Sequence, residues 1–214
     1  MSPISILAHH TVLFFFMSKI NCSIIIHTKN EESQLQDCLE TLKSTDDIVI
    51  YDSYTTDKTD EIAHKKNSRF ILRPNYDKTK PFGGCEATHR NWGLRNIPFK
   101  YDWLFVIDAD ERCTDSCFKS ILKEINNPNN IVNAYRIRRR DFFQGTHLYH
   151  TQLSSWFIRL FKPKYITYGP MRASGIPIIQ NNEPWGPGGV EIMPHMPNTP
   201  ERLAVSIVSD PQWW

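Results

Sequence analysis

Four short apolar runs, each divided from the next by a stretch with helical spacing, leave this chain few folds to adopt. Cys22 to His27, Asp47 to Asp52, Arg69 to Leu72 and Trp103 to Ile107 are β-branched, aromatic and too short for buried helices. Asn30-Glu31-Glu32 opens a helix whose apolar positions Leu35, Cys38, Leu39 and Leu42 share one face, with acids at its electropositive end. Ser53 to Thr56 is a polar turn, and Asp57 caps a helix running through Lys66 with Ile62 and Ala63 inward. Residues 73–84 form a Pro-, Lys- and Gly-rich loop, a helix follows over roughly 85–96, and Thr114 caps another that ends near Asn126. The order β-α-β-α-β-α-β-α predicts an α/β fold: a mostly parallel sheet with helices on both faces.

The pattern changes after Asn126. Val132 to Arg140 and Ser155 to Phe161 read as strands, the first with Arg136, Arg138 and Arg140 on one face. That face reads as an edge strand protected by charge; contact with donor phosphates or an anionic lipid surface is the alternative. Nine of the fourteen prolines fall in residues 163–214, so an irregular C-terminal tail is expected there. At the other end, Ile4 to Met17 is apolar but too short to span a bilayer and lacks the basic start of a signal peptide. Residues 1–16 read as an extension ahead of a natural start at Met17, and residues 17–162 as the domain proper.

A formal net charge of +2 gives no case for a nucleic-acid partner. Five cysteines at irregular spacings suit a reducing cytosol better than a disulfide framework. Cys113 and Cys117, one helical turn apart, have no second pair to complete a zinc site and read as packing residues.

The strand ends carry the chemistry. The first leads into His27-Thr28-Lys29-Asn30-Glu31, the second ends in Asp52-Ser53, and the fourth ends in Asp108-Ala109-Asp110-Glu111. In a parallel sheet these ends lie on one edge, where open α/β sheets bind ligands. Asp108 and Asp110, two residues apart on an extended chain, point to the same side. Two hard carboxylates suit Mg²⁺ or Mn²⁺ and, through the metal, a diphosphate.

The words S-I-I-I-H-T-K-N-E-E (23–32), I-V-I-Y-D-S-Y-T-T-D-K-T (48–59), H-R-N-W-G-L (89–94) and L-F-V-I-D-A-D-E-R (104–112) resemble the inverting family-two glycosyltransferases of the GT-A, Rossmann-like fold. Y-R-I-R-R-R-D-F-F-Q-G (135–145) and W-F-I-R-L-F (156–161) are similar to a subgroup that includes bacterial lipopolysaccharide-core glucosyltransferases. The resemblance implies transfer of a sugar from a nucleotide donor, most often UDP-linked, to an envelope saccharide or lipid-linked acceptor. It places Thr28, Asn30, Glu31, Asp52, Arg90 and Asp108 around the nucleotide, and Asp110 with Asp108 on a divalent cation, Mg²⁺ or Mn²⁺. The implied location is the cytoplasm, with peripheral contact at the inner membrane as the further expectation. In the subgroup a His-Glu pair follows the R-L-F strand; here residues 168–174 read Y-G-P-M-R-A-S, so Asp141 and Glu111 are the candidate bases.

Other classes fit less well. A nicotinamide dehydrogenase would want G-x-G-x-x-G, which is absent. A sugar nucleotidyltransferase would want a Gly-rich phosphate loop after the first strand, and an aspartyl phosphatase its D-x-D there. The remaining alternative is a degenerate transferase that binds a nucleotide sugar without turnover, with the 163–214 tail truncated or divergent.

Overall fold

The computed structural model describes residues 19–42, 44–144, 146–148 and 156–168, together with the backbone of two later strands, 190–192 and 201–209. The 1–16 extension and most of the 163–214 tail lie outside the described residues. In chain order the elements begin β1 (Ser23–Thr28), α1 (Leu35–Glu40), β2 (Ile48–Asp52), α2 (Thr59–Lys65), β3 (Arg69–Leu72), α3 (Glu86–Asn96), β4 (Leu104–Asp108), β5 (Glu111–Cys113) and α4 (Asp115–Ile125). They continue as β6 (Ala134–Phe143), β7 (Thr146–Leu148), β8 (Trp156–Phe161), β9 (Ile166–Tyr168), β10 (Val190–Ile192) and β11 (Glu201–Ser209).

The main sheet runs β3-β2-β1-β4-β8-β6-β11-β5, with β7 hairpinned onto β6. Its first half is parallel and has the α/β connectivity expected; β8 then enters antiparallel to both β4 and β6. β1, β2 and β4 are buried on both faces, which is why each reads as a nearly unbroken apolar run, while β3 at the edge is only partly covered. Ile24, Ile26, Ile50, Phe105 and Ile107 face one layer with Leu35, Leu39 and Phe118 of α1 and α4. Ile25, Val49, Tyr51, Leu104 and Val106 face the other, with Leu94 of α3. Cys113 and Cys117 are core residues of the first layer, in line with the packing reading. Thr114 caps α4 by accepting from the Cys117 amide at 3.2 Å.

Two expectations change. β6 is not an edge strand: β8 pairs along one side and β11 along the other. The guard against aggregation assigned to Arg136, Arg138 and Arg140 therefore has no free edge to protect, because a segment of the tail covers it. The tail also contributes β10, which pairs with β9, and β11, which joins the main sheet. Among the described residues no helix is long and apolar enough to cross a membrane.

Helix α3 has no apolar stripe and docks by close approach instead. A Cβ on Gly93 would stand 2.8 Å from Cε1 of Tyr51, which is itself fully buried. Gly93→Ala gains helix propensity but drives a methyl into that ring. A net loss of about 1–3 kcal/mol is expected; an unchanged urea midpoint would show that the ring yields freely.

Candidate active site

Parallel register brings the three polar strand ends together. Thr28 of β1 stands opposite Asp52 of β2, and His27 of β1 stands opposite Asp108 of β4. All three ends therefore lie on the C-terminal edge of the sheet, as their residue types led us to expect.

On the β2 side, Asp52 is fully buried. The Thr28 hydroxyl donates to its Oδ1 at 2.6 Å, and the Thr55 amide donates to Oδ2 at 2.7 Å. Burial raises its carboxyl, and these hydrogen bonds oppose the rise. Asn30 sits at φ 58° and turns inward to the neighbouring loop. Its Oδ1 accepts from the Thr55 hydroxyl at 2.9 Å and the Thr56 amide at 2.8 Å. Asp57 receives the Glu32 amide at 3.0 Å and the Thr59 amide at 3.0 Å, so it ties the first loop to the start of α2, whose N-cap position is Lys58 and not the expected Asp57. Lys29 donates to the Ser53 carbonyl at 2.9 Å and also to that of Tyr54.

On the β4 side, Arg159 of β8 reaches the D-A-D-E turn. Its Nη2 donates to Asp108 Oδ2 at 2.9 Å and to Glu111 Oε1 at 2.7 Å. Glu111 Oε2 in turn accepts from the Asp108 amide at 2.9 Å. Burial works against the Asp108 carboxylate, but the charge and hydrogen bond of Arg159, followed by Arg90, hold it well below the ordinary range. Glu111 has no exposed surface, and burial raises its carboxyl against the pull of Arg159.

Asp110 and Glu31 behave differently. Neither carboxylate has a side-chain partner among the described residues. Burial and then the charge of Asp108 raise Asp110. Burial, followed by Asp110 and Asp108, pushes Glu31 up to about 7. The two acids and Asp108 thus act on one another at close range. Among the described residues no three His, Cys, Asp or Glu side chains form a metal cluster on their own. One or two carboxylates suffice where substrate phosphates complete the shell, so these hard oxygens suit Mg²⁺ or Mn²⁺ arriving with a diphosphate.

The H-R-N triplet of α3 braces this edge. His89 stacks on Tyr51 with ring centroids 4.2 Å apart and planes within 7°. Arg90 is held by Glu86 at 2.7 Å and brings Nη1 to 3.5 Å from His27 Nδ1, on the strand beside Asp108. Asn91 makes a reciprocal pair with the Tyr168 backbone, donating at 2.8 Å and accepting at 2.7 Å.

The two candidate bases lie at one level of the sheet, since Ser209 of β11 stands opposite both Glu111 and Asp141. Asp141 Oδ1 forms an ion pair with Arg139, 2.7 Å from its Nε, and Arg139 Nη1 lies 3.8 Å from Glu111. Sequence reasoning missed Arg159 and Arg139. The signal was available for Arg159: a cation inside the apolar run W-F-I-R-L-F has to be paired if it is buried.

Residues 23–179 match the model of glycosyl transferase family 2. The chain belongs to this family. Its α/β architecture is the GT-A one that the resemblance implies. The lipopolysaccharide core biosynthesis glycosyltransferase LpsC of Rhizobium meliloti is 29% identical over 128 residues, spanning 59% of this chain and 45% of that protein. An uncharacterized glycosyltransferase of Rickettsia typhi is 27% identical over 163 residues, spanning 71% of this chain and 49% of the relative. Among solved structures, glucosyl-3-phosphoglycerate synthase of Mycobacterium tuberculosis in complex with Mn²⁺ and UDP-glucose overlaps 68% of this chain and 57% of its own, at TM-score 0.47 and 13% identity. The chain spans about half the length of the curated relatives it matches.

In this family 2 chain His89 has a measurable signature. Burial, then Arg73 and Arg90, lower its imidazole from 6.5 to about 4. Between those values the unfolded chain takes up a proton that the folded chain refuses, so stability falls as pH drops through that window. The loss reaches about 3 kcal/mol at most. His89→Phe keeps the stack on Tyr51 and should flatten this part of the pH profile between pH 6.5 and 4 in urea titrations. An identical slope in wild type and variant would contradict a buried neutral His89.

Proposed function

We propose that this chain transfers a sugar, with inversion, from a nucleoside diphosphate donor to an envelope saccharide or lipid-linked acceptor, assisted by Mg²⁺ or Mn²⁺. The observation that carries the reading is the meeting of Glu31, Asp52, Asp108 and Asp110 on one edge of the sheet, with the carboxylates of Asp110 and Glu31 unpaired among the described residues.

In this reading Asp52 acts from beneath a base such as uracil: fully buried and engaged by Thr28 at one oxygen and by the Thr55 amide at the other, it fixes the loop that receives the base. Asn30 shapes the loop from below, while Glu31 and Asp108 face the ribose and phosphate side. Asp110, with the free side of Asp108, would hold the divalent cation, whose contribution is Lewis-acid neutralisation of the departing nucleoside diphosphate. Arg90, beside His27 and Asp108, adds a fixed positive charge where the diphosphate lies.

Inversion needs one carboxylate base for the attacking hydroxyl. Of the two candidates we assign Asp141. Both oxygens of Glu111 are engaged, by Arg159 and by the Asp108 amide, and its side chain is wholly buried. Asp141 retains some exposure and lies at the same level of the sheet. We place the protein in the cytoplasm, with the acceptor presented at the inner membrane.

The test is Asp110→Asn, read by calorimetry with UDP in the presence and absence of Mn²⁺. The wild type should bind UDP more tightly with Mn²⁺, and the variant should lose that gain. Removing one of several like charges should leave apo stability unchanged or raise it, as expected where site electrostatics oppose stability. A large fall in apo melting temperature with unchanged metal-dependent affinity would assign Asp110 a structural role instead.

A further inference from the structure

We propose that Arg159 is a positioning residue that makes Asp110 the carboxylate offered to a divalent cation on a nucleoside diphosphate. The inference deepens the donor reading above and rests on it.

Arg159 is only 7% exposed and comes from a strand whose next two residues, Leu160 and Phe161, have no exposed surface. A guanidinium in such a place is costly unless its partners are fixed and close. Both partners belong to one four-residue turn. Nη2 bridges Asp108 Oδ2 at 2.9 Å and Glu111 Oε1 at 2.7 Å, while Glu111 Oε2 takes the Asp108 amide at 2.9 Å. These bonds close a ring through the first and last residues of the turn. Asp108 is thereby held at one oxygen and Glu111 at both.

Asp110 lies between them and outside the ring. It has no side-chain partner among the described residues, so it is the free carboxylate of the turn. The ring on Phe157 restricts the guanidinium further: Arg159 Cζ lies 5.6 Å from its centroid, and Arg139 Cζ lies 5.2 Å from it. Asp108 ends β4 of the parallel half, whereas Glu111 opens β5 and Arg159 comes from β8, both antiparallel to their neighbours, so the clamp joins the two halves of the sheet. Clamps of this kind act on a metal without touching it, and their removal typically weakens metal affinity by about 10–100-fold.

The experiment compares wild type with Arg159→Met, Arg159→Lys and Glu111→Gln, measuring UDP affinity with and without Mn²⁺ alongside thermal unfolding. Metal-free UDP affinity should stay at the wild-type level in all four proteins. The gain from Mn²⁺ should fall by about 10–100-fold in Arg159→Met and by less in Arg159→Lys, which keeps the charge but not the planar fork. Glu111→Gln keeps a carbonyl oxygen for Arg159 and should fall between wild type and Arg159→Met. If Arg159→Met does not fold, Arg159→Lys and Glu111→Gln decide by the same readout. Folded variants that keep the full Mn²⁺ gain would overturn the positioning role alone. A wild type with no Mn²⁺-dependent UDP binding would overturn the donor reading and this inference together.

Discussion

The parallel ladder of β1, hydrogen-bonded to β2 on one side and β4 on the other, is the constraint on which the site depends. Its register sets Thr28 against Asp52 and His27 against Asp108. Side chains alternate faces along a strand, so a slip of one residue in either ladder would turn an acid to the other face of the sheet and put the Ile and Val side chains of one packed layer into the other. The same apolar residues that fill the two layers therefore also aim the carboxylates. Packing and chemistry share one register, and neither can shift alone.

The second organising element is charge compensation across the sheet. Asp108, Arg159, Glu111, Arg139 and Asp141 alternate in sign, with successive contacts of 2.9, 2.7, 3.8 and 2.7 Å. The chain of charges starts at the turn after β4 and ends on β6. It crosses from the parallel half to the antiparallel half, where β8 and β6 carry the arginines. Buried ions at this density are tolerable because each is flanked by its opposite. Asp110 and Glu31 stand outside this arrangement and remain in conflict with each other and with Asp108. On the proposed reading, that imbalance separates the acids that hold the architecture from those that meet a ligand.

Much of this was legible in the chain itself. The apolar runs marked β1 to β4, and Thr114 was readable as a cap because a short polar side chain ahead of a helical pattern has few other uses. What escaped was long-range. β5 has only three residues and finds its partner in β11, nearly a hundred residues later, so no local period announces it. The arginines of β6 looked like an edge guard for the same reason, since the strand that covers them comes from a proline-rich stretch. The motif marked Asn30 without showing that its side-chain oxygen binds the loop after β2. Arg159 was visible only as an oddity in an apolar run, and its meaning required knowing that Asp108 and Glu111 lie within reach.

The cross-links among Asn30, Glu32, Thr55 and Asp57 carry a last consequence. They join the segments after β1 and β2 by side-chain-to-backbone bonds in both directions, from the Asn30 amide to the Thr55 hydroxyl and from the Lys58 amide to Glu32. Two crossings that would otherwise fluctuate separately behave as one stiff rim. A molecule settling on that rim would have little backbone left to immobilise, so less of its contact energy would be lost to ordering entropy. Weak individual contacts would then suffice for recognition, and loosening a staple far from any ligand atom would lower affinity by restoring that entropy.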